Sequence, residues 1–198
     1  LGAMNIDTFD LVGHSMGGTV ATMYAGTKPK RIRTLVTVEG LGPPAGDVSD
    51  TPARFVRWFE GVERVRTRAG KPIATVEDAL ERMRLMHSSL PDELGLVLAE
   101  RAVKPHASGH GFAWRFDPLH QTQSPIQFRL DVYQSFLGRI TAPTLVVLGE
   151  KGMRLADERE RIAIIPNARA LELPGQGHMV HWHAPDVLAD AVLSHVLA

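Results

Sequence analysis

The 198-residue chain contains no cysteine. Disulfides, thiolate-held zinc and a cysteine nucleophile are therefore excluded. It carries no net charge: Lys and Arg together number 22, as do Asp and Glu. That balance argues against a nucleic-acid or anionic-membrane partner held by bulk charge. No apolar run approaches the roughly 18–20 residues of a membrane span, and no basic-then-apolar stretch opens the chain. A soluble, cytoplasmic protein is the expectation. Internal repeats and low-complexity segments are also absent. What remains is ordinary globular composition, with length enough for one compact domain and a small subdomain.

The most informative stretch is Phe9–Thr19, FDLVGHSMGGT. An apolar strand runs into a tight turn and then a helix, and Gly13-His14-Ser15-Met16-Gly17 at the turn is a G-x-S-x-G pentapeptide. A serine hydroxyl is a poor nucleophile unless it is held clear of the sheet, close to a base and to amide donors. The tip of a sharp strand-to-helix turn provides this, at the cost of a strained backbone. Side chains two residues before and after the serine are expected to collide across the turn, so Gly13 and Gly17 both favour glycine. The following helix aims its N-terminus at the reaction centre, which makes the Met16 N–H a candidate oxyanion donor.

Leu1–Asp7 reads as the last turn of a helix and its exit loop. Phe9–Gly13 is the first strand, Ser15–Gly26 a helix ended by Lys28-Pro29, and Arg31–Glu39 a second strand. The β-branched centre of that strand, Leu35–Val38, suits burial on both faces of a parallel sheet. Together these form a right-handed βαβ unit. After the loop Gly40–Asp50, residues 52–138 lack obvious strands and read as helices. Pro52–Thr67 carries Phe55, Trp58, Phe59, Val62 and Val65 on one stripe. Thr75-x-x-Asp78 resembles a capping box. Pro91–Val103 is a third helix, and Ser124-Pro125 starts a fourth through Ile126, Leu130, Tyr133 and Leu137. Lys104–Gln123 is expected to be irregular. Ala142–Gly149 is a third strand, Leu155–Ile164 a helix, Ala168–Leu173 a fourth strand ended by Pro174-Gly175, and Pro185–Leu197 a closing helix. The divisions are thus a core over 1–50, a helical insertion over 51–138 and a second core part over 139–198.

LVGHSMGG at 11–18, LVTVEG at 35–40, APTLVVLGEKG at 142–152 and PGQGHMVHWHAPD at 174–186 together resemble the α/β-hydrolase fold family. The resemblance spans nearly the whole chain. It implies an α/β fold, a parallel sheet of about four strands with a helical cap inserted at 51–138, and a serine, acid and histidine in that chain order. Trp114-Arg115-Phe116-Asp117-Pro118 also resembles the serine-hydrolase-like subgroup. His178 is the candidate base: it follows the last strand, and Gly175 and Gly177 free its loop to bend back over Ser15. His181 and His183 make an H-x2-H-x-H pattern with it, but no acidic or cysteine partner stands nearby at metal spacing. Packing or cap-facing roles are expected for both, with no metal and no cofactor.

A carboxylate must fix the tautomer of His178. The family usually supplies an aspartate three residues beyond the glycine that ends the seventh strand. Here that register reads Gly149-Glu150-Lys151-Gly152, so glycine occupies the acid position. Some members, notably haloalkane dehalogenases, carry the acid after strand six instead, where this chain has Glu39. A charge directly after a buried apolar run is costly unless used, which favours Glu39; Glu150 and Asp157 are the alternatives. A serine nucleophile points away from the dehalogenases and epoxide hydrolases of this fold, which use aspartate. It suits ester, lactone or thioester hydrolysis, acyl C–C cleavage or perhydrolysis. The inserted segment offers Phe55, Trp58, Phe59, Met83, Met86, Phe112, Trp114 and Phe116, either as an apolar acyl pocket or as its own core.

The resemblance also implies four strands before the serine motif, with a His-Gly loop that gives a second oxyanion donor. Neither is present. The expectation is a fragment, or one piece of a longer polypeptide, with Phe9–Gly13 as an open edge. That edge would pair with a missing segment or a second copy. Two functions follow: a serine hydrolase on a small acyl substrate, or a catalytically silent binding or assembly module.

Overall fold

The computed structural model describes residues 4–67 and 72–198, so Leu1–Ala3 of the reading over Leu1–Asp7 lie outside the described residues. The chain opens with β1 (Phe9–His14), α1 (Met16–Thr27) and β2 (Ile32–Val38). Then come α2 (Thr51–Thr67), α3 (Val76–Met86), α4 (Asp92–Ala102) and the short strands β3 (Val103–Pro105) and β4 (Phe112–Trp114). It closes with α5 (Leu130–Leu137), β5 (Thr144–Lys151), α6 (Glu158–Ile164), β6 (Ala168–Gly177), α7 (Val180–His183) and α8 (Pro185–Val196). Two compact units result, one of Leu1–Ala45 with Phe128–Ala198 and one of Gly46–Gln127. Among the described residues no helix is long and apolar enough to cross a membrane.

The first unit is an α/β layer structure. Its four strands are all parallel, in the order β1-β2-β5-β6. Strand alternation sends neighbouring residues to opposite faces, so a strand covered on both sides must be apolar throughout. Leu35, Val146 and Leu148 face one cluster, with Ala21 and Ala25 of α1 and Tyr133 and Leu137 of α5. Val36, Val38, Leu145 and Val147 face the other, with Leu188, Ala191 and Val192 of α8 packed against it. The inward stripe of α1 is small (Gly18, Ala21, Thr22, Ala25, Gly26), which lets its backbone come close to its neighbours.

Three readings of the sequence give way here. Residues 52–138 do contain strands: β3 and β4 pair antiparallel, with Gly109 and Gly111 at positive φ between them. Strands of three residues are too short to display an alternating pattern. The fourth helix starts at Leu130, not at Ser124-Pro125, because the Ser124 hydroxyl donates to the Ile126 carbonyl instead of capping a helix. That helix also belongs to the first unit, since Phe128–Ala198 joins it and Tyr133 and Leu137 enter its core. Finally, β6 runs through Pro174-Gly175 to Gly177. It is an outer strand of the described sheet, where proline is tolerated.

In the second unit the Thr75–Asp78 capping box forms in both directions. Ile73, Ala79, Ala99 and Val103 make the core, with Met83, Phe112 and Trp114 packed against it. Phe55, Phe59, Met86 and Phe116 stay exposed.

A Cβ added at Gly26 would lie 2.8 Å from the carbonyl carbon of Phe136 in α5. Gly26→Ala should therefore destabilise the fold by roughly 1–3 kcal/mol through overpacking, read as a lower melting temperature. An exposed control, Thr27→Ala, should change it little.

Candidate active site

Ser15 stands between β1 and α1 with φ 55° and ψ −124°. A non-glycine residue at positive φ costs on the order of 1–3 kcal/mol and persists only where its surroundings enforce it. The surroundings here are main chain. The Ser15 N–H donates to Val38 O of β2 at 2.9 Å, and Ser15 O accepts from Gly18 N–H at 2.9 Å. A Cβ at Gly13 would fall on the Gly17 carbonyl, and one at Gly18 would lie 2.8 Å from Gly40 Cα. The expected collision at Gly17 does not occur, since a Cβ there meets nothing within 4 Å; the crowded positions are Gly13 and Gly18. Met16 opens α1, and its N–H is among the four that a helix leaves without an intrahelical acceptor.

Glu39 follows β2, again at positive φ, 54°. Its N–H donates to Val147 O at 2.9 Å. Its carboxylate is shut away from water, and a buried carboxylate needs donors. Oε1 accepts the Gly149 N–H at 2.6 Å and Oε2 the Met153 N–H at 2.8 Å. His178, one residue beyond β6, brings Nδ1 to 3.2 Å from Glu39 Oε2 and Nε2 to 2.9 Å from Ser15 Oγ. The carboxylate only accepts, so Nδ1 carries the hydrogen and Nε2 is left to accept from the Ser15 hydroxyl. Three residues separated by up to 163 positions thus form one relay, from hydroxyl to imidazole to carboxylate.

The alternative carboxylates are engaged elsewhere. Glu150 accepts the Gly175 N–H, and Asp157 pairs with Arg161 at 2.9 Å. Gly152 has a specific reason to be glycine: a Cβ there would fall on the Glu39 carboxylate itself. Glu39 fills the space from which an acid on position 152 would start. The loop after Glu39 is gripped by Arg161, fully buried, whose guanidinium donates to Leu41 O at 2.8 Å and Pro43 O at 2.9 Å. That grip is absent from the sequence pattern, because its acceptors are main-chain carbonyls.

His14 and His181 pack beside the relay. The His181 ring lies 4.6 Å from that of His14, edge-on. Burial, and then the neighbouring His14, His178 and His183, hold its pKa below the ordinary histidine value. Among the described residues no group of three or more His, Asp or Glu is arranged to hold a metal ion. Chemically, the relay can withdraw a proton from a serine hydroxyl and return it to a departing group.

A family model described as the alpha/beta hydrolase fold matches residues 1–185. A serine hydrolase-like protein of Danio rerio is 24% identical over 204 residues, covering 96% of this chain and 61% of that protein. The sn-1-specific diacylglycerol lipase ABHD11 of Mus musculus is 28% identical over 191 residues, covering 93% of this chain and 57% of its own length. The chain therefore spans about three fifths of the curated relatives it matches. A solved structure of a hypothetical protein from Pseudomonas aeruginosa PAO1 superimposes with a TM-score of 0.81 at 27% identity, covering 98% of this chain and 68% of that one. With the parallel sheet, the strained turn at Ser15 and a family match that spans most of its length, the chain belongs to the α/β-hydrolase fold family.

Proposed function

We propose that this chain is a serine hydrolase that cleaves an ester or related acyl bond of a small apolar substrate through an acyl-enzyme. The observation that carries the reading is the Ser15–His178–Glu39 relay, with both hydrogen bonds of the imidazole in place. Ser15 Oγ attacks the acyl carbon while His178 Nε2 takes its proton, and Glu39 steadies the imidazolium. The carbonyl oxygen gains negative charge, to which the Met16 N–H donates. Collapse breaks the bond to the leaving group, which takes the proton from His178. Water, deprotonated by His178, then attacks the acyl-enzyme and releases the acid and Ser15. The relative named as a diacylglycerol lipase supports an ester as the bond. The inserted unit Gly46–Gln127 occupies a cap's place in the chain order.

A fluorophosphonate probe should label Ser15. Ser15→Ala should abolish the label and cut p-nitrophenyl acetate turnover by at least about 10³-fold. If the folded protein takes no label and shows no Ser15-dependent turnover, the reading falls, and a catalytically silent binding or assembly module takes its place.

The role of Glu39 has its own test. Glu39→Ala should lower kcat by about 10³–10⁴-fold, as loss of the tautomer-fixing acid does elsewhere. Adding Gly152→Asp to that variant should restore at least about tenfold, because removing Glu39 vacates the space the new side chain needs. Gly152→Asp alone should be inactive, its side chain competing with Glu39 for one volume. A double variant no better than Glu39→Ala would count against relocation of the acid.

A further inference from the structure

His14 ends β1, directly before Ser15. Its Nε2 lies 2.8 Å from the backbone carbonyl oxygen of His178. A carbonyl oxygen only accepts, so His14 Nε2 carries the hydrogen and donates. The residue next to the serine thus holds the main chain of the histidine that faces it. The two imidazole rings lie 4.9 Å apart at 43°, and the His181 ring of α7 lies 4.6 Å from that of His14 at 69°.

The segment around His178 has reason to need such a tether. Pairing of β6 with β5 ends at Lys151 and Gly177, so His178 is the first residue past the ladder. Two glycines precede it, and Gly175 adopts φ 73°. The next described backbone bond runs from Trp182 N–H to Met179 O, beyond His178. The His178 side chain is held at both ring nitrogens, but a side chain is no better placed than the backbone that carries it. In a proton relay, a misplacement near 1 Å costs on the order of 10²-fold in rate.

We propose that His14 is a positioning residue. It donates from Nε2 to the His178 carbonyl and ties the base-bearing loop to the nucleophile's own strand, so that His178 Nε2 stays within hydrogen-bond reach of Ser15 Oγ. The inference rests on the serine-hydrolase reading for its catalytic consequence, and His14 itself touches no reacting atom. The bond closes a small circuit: from Ser15 through the peptide to His14, across to the His178 backbone, out along the His178 side chain and back to Ser15 Oγ. With that circuit closed, neither side of the relay can drift without straining the other.

Two substitutions separate the tether from plain ring packing. His14→Gln keeps an N–H donor at similar reach and removes the ring. His14→Phe keeps a ring packed against His178 and His181 and removes the donor. Two readouts are needed: kcat and KM for p-nitrophenyl acetate, and the downfield proton resonance of His178 Nδ1–H in its bond to Glu39. The tether predicts that His14→Phe lowers kcat by about 10–100-fold with KM within about twofold, and broadens the resonance. His14→Gln should stay within about threefold of the unaltered chain in kcat, with a sharp resonance. The opposite pattern, Phe tolerated and Gln impaired, would assign His14 to packing and overturn the proposal. So would a His14→Phe variant unchanged in both readouts. If the unaltered protein has no Ser15-dependent turnover, the hydrolase reading fails and the resonance alone decides. Broadening in His14→Phe but not in His14→Gln upholds the tether, and any other result removes it. Should His14→Phe fail to fold, His14→Gln and His14→Ala carry the same contrast, a sharp resonance in the first and a broadened one in the second.

Discussion

The Glu39 carboxylate has no access to water and must find all its hydrogen-bond donors within the protein. It takes main-chain N–H groups from Gly149 and Met153 and a ring N–H from His178. Those donors come from the end of β5, from the loop beyond it and from the loop after β6. One buried charge therefore fixes the relative placement of three strand ends. Leaving such a group without partners costs several kcal/mol, so the loops are drawn to Glu39 as firmly as Glu39 is drawn to His178. Arg161 works from the other side, holding the chain just past Glu39 by two carbonyls.

Adjacent strands end here in the same way. β1 is followed by Ser15 at φ 55° and β2 by Glu39 at φ 54°. Each of these residues hands its N–H to a carbonyl of the next strand in the sheet, Val38 for Ser15 and Val147 for Glu39. The parallel arrangement makes this repetition possible, since neighbouring strands then finish at the same end of the sheet, and the register that pairs His14 with Val38 and Val38 with Val147 aligns the residues that follow. Both residues sit in a conformation that side chains disfavour, and in both the ladder of the next strand enforces it. Of the three non-glycine residues at positive φ among the described residues, two carry side chains that meet His178, and the third, Asn5, is of a type that tolerates this conformation.

Much of this was legible in the sequence, for steric and electrostatic reasons. The turn at Ser15 could be read because Gly13 answers to a real clash, although Gly17 does not and Gly18 does. The carboxylate that meets His178 could be read by subtraction: Gly152 stands where the family resemblance puts one, and Glu39 follows an apolar run that tolerates no idle charge. The paired strands Val103–Pro105 and Phe112–Trp114 were illegible because three residues carry no period. The start of α5 was misread because a serine before proline mimics a cap while its hydroxyl is turned to Ile126. His14 and Arg161 gave no signal, since the groups they hold are carbonyls, which every residue has.

The shared volume of Glu39 and Gly152 also constrains history. On the proposed reading, a lineage that moves the acid from one strand end to the other must displace the first carboxylate before the second fits, because a Cβ at position 152 falls on the Glu39 carboxylate. Either order of single substitutions passes through a form with a displaced acid or with none. The two placements are therefore separated by a valley that single steps cross only with loss. Each branch of such a family is expected to keep the arrangement it inherited, however similar the chemistry of the two.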